Sequence, residues 1–177
     1  MAVGVPLGAW IALSPRAGRA VDAPLRILRP VPPVAWVPLT LLWCGVTELQ
    51  QVAVLALAAT LVVVGGTTHA VAGVPADLLA AARNLGARPR DVTLRVAVPA
   101  ALPAVASTVR EAVGTAWFVL VAAELLTASQ GVGVLIVEGR DMLQPARACV
   151  GMLTLGACAA TSDTILEALA RRLSRAR

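Results

Sequence analysis

Residues 77–103 read DLLAAARNLGARPRDVTLRVAVPAALP, a polar, Arg-bearing insert between two long apolar runs. Pro75, just upstream, has a fixed φ that suits the first turn of a helix. Leu78, Leu79, Ala82 and Leu85 then recur at helical spacing and form one apolar stripe, while Asp77, Arg83 and Asn84 fall off it. Gly86 ends this short helix, as a glycine past a helix C-terminus does. Pro89 is read as opening a second short helix that carries Asp91 and Arg95. Two short amphipathic helices joined at a glycine make a rigid knob rather than a floppy loop. The alanines at 80, 81 and 82 stiffen it, because alanine loses no side-chain entropy in a helix.

The flanking runs say where this knob sits. Of 177 residues, 58% are hydrophobic and only 14% are charged, too apolar for a soluble domain of this length. A helix crosses a bilayer with roughly 20 apolar residues. Pro30–Thr47, Gln50–Ala76, Val96–Ala123 and the run that follows Arg147 reach or approach that length. Met1–Ser14 is too short to cross unaided and reads as the inner end of an incomplete span. The expectation is an all-α, polytopic membrane bundle of about five spans, the first incomplete. It forms a single domain over residues 1–177, with its polar loop at about 75–98. Pro30, Pro32, Pro33 and Pro38 interrupt the second span and free backbone carbonyls that neighbours must satisfy.

Charge placement orients the bundle. The chain has no lysine, so all 15 basic residues are arginine. Four lie at 16, 19, 26 and 29, four at 83, 88, 90 and 95, and four at 171, 172, 175 and 177. Alternating sides at each span puts these three groups together, and the positive-inside rule makes that side the cytoplasm. The outer side receives residues 46–51 and 129–147, with Arg140 and Arg147. The net charge of +5 therefore reads as topology, not as a nucleic-acid footprint.

Ala80, Ala81 and Ala82, then Gly86, then Val96, Val98 and Pro99 give the pattern Ala-Ala-Ala-x-x-x-Gly, nine residues, Val-x-Val-Pro. This resembles the "EAA" cytoplasmic loop of bacterial ABC-importer permeases. A second block, Arg29–Pro38, reads Arg-Pro-x-Pro-Pro-x-x-Trp-x-Pro, and a third is TAWFVLVAAELLTASQGVGVLI at 115–136. Together they resemble the permease subunits of the nitrate, sulfonate and taurine branch. The resemblance implies a bundle of the type I importer permease kind, in the plasma (inner) membrane, with the loop and C-terminus cytoplasmic. It implies three protein partners besides membrane lipid: an ABC ATPase subunit, a second permease subunit (identical or different) and an extracytoplasmic solute-binding protein. It also implies a small, anionic solute. The coupling residues carried over are Ala80, Ala81, Ala82, Arg83, Leu85, Gly86 and Pro99. The loop's usual glutamate falls on Ala80. Similar permeases have further helices upstream of the position of Met1, and this chain is read as lacking them.

Charges inside spans mark the remaining candidates, because each is costly in the bilayer. Arg110 and Glu111 are adjacent, so they do not face each other on a helix; each is a candidate for the pathway, with snorkelling the competing reading for Arg110. Glu124 lies near the outer end of its span and is either structural or a gate. Glu167 and Arg171 have the i, i+4 spacing of a helix-end ion pair, with Asp163 a turn earlier. The lone His69 is weak evidence for a proton relay or a metal. Ser107, Gly114 and Ala116 are small enough to let helices approach. Cys44, Cys149 and Cys158 have no disulfide or zinc spacing and read as small apolar packing residues.

No catalytic, cofactor or metal residues are expected. A Walker-type P-loop needs a lysine, so any ATP hydrolysis must come from a partner. Two other readings stay open at this stage. One is a truncated or degenerate permease homologue that keeps the fold without transport. The other is an unrelated multi-pass transporter.

Overall fold

A computed structural model describes residues 3–14, 18, 20, 21, 24, 27, 28, 30–127 and 131–175. The expected arginines at 16, 19, 26 and 29 and Ser129 lie outside these residues, as does Arg177. All regular structure among the described residues is helical. Helix α1 is Gly4–Leu13. A 3-10 turn, Pro33–Trp36, leads into α2, Val37–Cys44. Helix α3 is Glu48–Ala72, α4 is Ala76–Asn84, and α5 runs unbroken over Pro89–Thr127. Helix α6, Val132–Asp141, and α7, Pro145–Arg175, complete the chain.

Among the described residues, three helices, α3, α5 and α7, are long and apolar enough to cross a membrane. The expected span at 30–47 is shorter. Its apolar helical stretch is Pro33–Cys44, about 18 Å at 1.5 Å per residue, against a hydrocarbon core of about 30 Å. Prolines at its start and Gly45, with φ 67°, at its end set that length.

The chain divides into two compact units, residues 1–30 with 60–111 and residues 31–59 with 112–177. In the first, α1 lies against the second half of α3. The Gly4 and Gly8 backbones face Val63 and Thr67 so closely that a Cβ would come within 2.9 and 2.8 Å of those side chains. This is small-x-x-x-small packing, the usual way for helices to approach in lipid. The Thr68 hydroxyl donates to the Val64 carbonyl at 2.7 Å, with the Gly8 carbonyl at 3.3 Å. A second cluster joins Val71, Val74, Ala101 and Val105, with Leu79 of α4 packed on it.

In the second unit, Val37, Val54, Ala58, Val119 and Ala123 form the core, with Trp36 against it. Gln50, only 1% exposed, donates through Nε2 to Thr40 Oγ1 at 3.1 Å. That bond satisfies a buried amide and ties α3 to α2. Trp117 donates to Ser162 Oγ at 3.3 Å between α5 and α7. Apolar side chains of α7, among them Leu153 and Ile165, are exposed, as suits a helix that faces lipid or another subunit. Cys149 and Cys158 share that exposure, so they are not packing residues within this chain, while Cys44 is half-buried. The expected pair Glu167–Arg171 forms.

Candidate functional site

The loop at 75–98 is built from two elements with different anchoring. Helix α4 begins after Pro75, carries Asp77 in its first turn and Arg83 in its last, and so matches the helix dipole at both ends. No residue of α4 is buried. Leu79 and Ala82 are half-covered, while Leu78, Ala80, Ala81, Arg83 and Leu85 are exposed. The apolar stripe is therefore real but only one edge of it faces this chain. The other edge, Leu78 and Leu85, faces out, and Leu85 is 88% exposed.

The turn after α4 is a Schellman motif. The Ala87 amide donates to the Ala82 carbonyl at 3.1 Å and the Gly86 amide to the Arg83 carbonyl at 2.9 Å. Gly86 has φ 83°, the left-handed region that favours glycine. The sequence reading of Gly86 as the helix stop holds. It satisfies carbonyls that would otherwise be left bare and turns the chain in two residues.

Pro89 does open a helix, but not a separate short one. The turn Pro89–Asp91 continues as a π-helical segment, Val92–Ala97, and then directly as the long span. The Val98 amide donates to the Thr93 carbonyl, the five-residue spacing of a π-turn. The cause lies one residue on. Pro99 has no amide to offer the Arg95 carbonyl, and in a regular α-turn its ring would crowd that carbonyl. A wider turn upstream removes the crowding without breaking the helix. Val92 and Ala97 are buried and seat this segment, while Leu94 is exposed. Asp91 and Arg95 pair at 3.3 Å on the exposed face of this segment. Helix α4 packs back on the π-helical segment, so the knob is a folded hairpin at the start of α5.

The surface left open carries Leu78, Leu85 and Leu94 together with Arg83, Arg88, Arg90 and Arg95. Exposed leucines and arginines on one loop suit a partner that offers both apolar and acidic contacts. Nothing in the arrangement suggests bond-making chemistry. Among the described residues no group of three or more His, Cys, Asp or Glu side chains is placed to hold a metal.

Arg110 is half-buried and Glu111 is exposed on α5. Glu124 is buried, and its Oε2 accepts a hydrogen bond from the Gly133 backbone amide at 2.6 Å. That partner was missing from the sequence reading, although a Gly-Val-Gly run beginning seven residues after a membrane carboxylate was a visible signal. His69 is exposed. Gly114 is exposed with open space where a Cβ would sit; the close approach on α5 is instead at Thr108.

Residues 4–177 match the family described as binding-protein-dependent transport system inner membrane component. The chain is 32% identical over 171 residues to the taurine transport system permease protein of Escherichia coli, covering 97% of this chain and 62% of that protein. It is 32% identical over 133 residues to the nitrate import permease protein of Synechococcus elongatus, covering 75% of this chain and 48% of that protein. The chain thus spans about half to three-fifths of the length of these curated relatives. The loop, the Arg29–Pro38 block and the three long apolar helices agree with one conclusion: the chain belongs to the family of binding-protein-dependent transport system inner membrane components.

Proposed function

We propose that this chain is the permease subunit of an ATP-binding-cassette importer for a small anionic solute of the taurine, sulfonate or nitrate kind. The observation that carries the proposal is the anchoring of the loop. Helix α4 buries no residue and presents Leu78 and Leu85 outward, while three residues after Gly86 the unbroken helix α5 begins at Pro89. A separate ATPase seated on α4 moves the start of a spanning helix when it closes on ATP. A second permease completes the pathway, and an extracytoplasmic binding protein delivers the solute. The arginine distribution supports a cytoplasmic loop and C-terminus. The solute class is carried by the relatives' names, which print taurine, aliphatic sulfonates and nitrate.

Detergent co-purification with the ATP-binding subunit encoded nearest to this chain tests the proposal. Wild type should capture the ATPase. Gly86→Pro should not, because proline cannot adopt φ 83°. Leu85→Glu, at an exposed position that does not support the fold, should also lose capture. Absence of capture by wild type overturns the proposal.

A further inference from the structure

Glu124 lies in the last turn of α5, nine residues before Gly133, the second residue of α6. Its side chain is drawn into the start of α6. The first amides of a helix have no partner within it, and the positive end of the helix dipole attracts an acceptor. A side chain just before the helix normally supplies that acceptor. Here the residue in that place is Gly131, which has none, and the carboxylate comes from a different helix.

The surrounding space is shaped to this one side chain. A Cβ at Gly131 would come 2.5 Å from Glu124 Oε1 and 2.6 Å from its Cδ. A Cβ at Gly133 would come 2.7 Å from Glu124 Cβ and 2.8 Å from Oε2. Both glycines leave room for the carboxylate and for little else. Glu124 is 9% exposed and its carboxylate accepts from a backbone amide, which discriminates nothing about a solute. A group that lines a pathway presents its charge to the passing ion instead.

We infer that Glu124 is a positioning residue of the transport cycle, a latch that fixes the first turn of α6 to the end of α5 so that the two helices move as one. The inference rests on the importer reading only for the cycle; the latch is a property of this chain. What the latch requires is an acceptor at the reach of a glutamate, not a charge. Glutamine keeps both the reach and the acceptor. Aspartate keeps the charge but is one methylene short, and alanine keeps neither.

The test pairs spin labels at Leu126→Cys in α5 and Arg140→Cys in α6, with Cys44, Cys149 and Cys158 replaced by serine. Distances are read in the chain alone and in its complex with the ATPase, with and without ATP and vanadate. Wild type and Glu124→Gln should give one narrow distance that ATP does not change. Glu124→Asp and Glu124→Ala should give a broadened distance, and taurine or nitrate uptake in proteoliposomes containing the whole importer should fall by about three- to tenfold, the size of a lost hydrogen bond. An unchanged narrow distance in Glu124→Ala overturns the inference. So does the reverse order, aspartate functional and glutamine not, because that order marks a charge acting on the solute. Failure of wild type to capture the ATPase would remove the importer reading, while the distances in the chain alone would still decide the latch.

Discussion

Gly66 of α3 lies directly against the Thr108 side chain of α5: a Cβ at position 66 would come 2.6 Å from Thr108 Oγ1 and 3.0 Å from its Cβ, and closer still to Cγ2. Thr108 cannot swing away freely. Its hydroxyl donates to the Ala104 carbonyl at 3.1 Å and it is 7% exposed. Gly66→Ala is therefore expected to destabilise by about 1–3 kcal/mol, the cost of overpacking. Thr108→Ala removes the two nearest atoms. In the Gly66→Ala background it should raise the thermal midpoint in detergent, although alone it should lower it. A double-mutant cycle reads this directly, and additive effects would show that the two helices do not meet there.

The buried amide of Gln50 carries a second prediction. Its Nε2 reaches Thr40 Oγ1 at 3.1 Å, and that hydroxyl already donates to the carbonyl of Val37 at 3.0 Å. Thr40 thus loses only an incoming bond if Gln50 is replaced. Gln50→Leu keeps most of the volume and buries no unpaired group, while Gln50→Ala leaves a void. The alanine variant should cost about 2 kcal/mol and the leucine variant clearly less. Thermal unfolding of the purified chain checks the order. A leucine variant worse than alanine would mean that the branched side chain does not fit the space that the amide fills.

At the α6–α7 turn, Leu143 adopts φ 54°, the one non-glycine residue at positive φ among the described residues. It occupies the place that Gly86 fills after α4. The Gln144 amide donates to the Gly139 carbonyl at 2.7 Å and the Leu143 amide to the Arg140 carbonyl at 3.1 Å, again a Schellman motif. A left-handed conformation costs an ordinary L-residue roughly 1–2 kcal/mol. The Leu143 side chain, 89% exposed, gains nothing within this chain in return. Leu143→Gly should therefore stabilise by about 0.5–1 kcal/mol after the glycine's extra unfolded-state entropy is subtracted. A higher melting temperature in detergent is the expected reading. A lower one would show that the leucine is held by contacts outside this chain.

These sites mark what the sequence made readable. Helix α4 and its stop at Gly86 were legible because capping is local: a proline, a stripe at helical spacing and a glycine within twelve residues determine it. The long spans were legible from the length of the uncharged runs. The continuation of Pro89 into α5 was not. Pro89 signals a helix start and Pro99 a break, and the π-turn at Val98 that reconciles them depends on the seating of Val92 and Ala97. The bond from Gly133 to Glu124 joins residues of two different helices, a pairing that no residue type announces, although both ends were visible. The Pro30–Thr47 run reached spanning length in sequence, yet its prolines and Gly45 leave only a short apolar helix.

Ala80 supplies the last prediction, which rests on the importer reading. It is exposed on α4, one turn before Arg83, where loops of similar permeases carry glutamate. With alanine there, the exposed acid of α4 is Asp77 in its first turn, and position 80 offers its partner no charge. Ala80→Glu should strengthen ATPase capture by about two- to fivefold, the scale of one exposed ion pair. The gain should fade in high salt, because exposed charges are screened beyond a few ångströms. Ala80→Gln should give none of it. A new glutamate can also pair within the helix with Arg83 or Asn84, which lie at i+3 and i+4, and that competition sets the lower end of the range. Capture that is equal for alanine and glutamate at low salt would show that Leu78 and Leu85 carry the docking by apolar contact alone. In that case Leu85→Glu should abolish capture in both backgrounds.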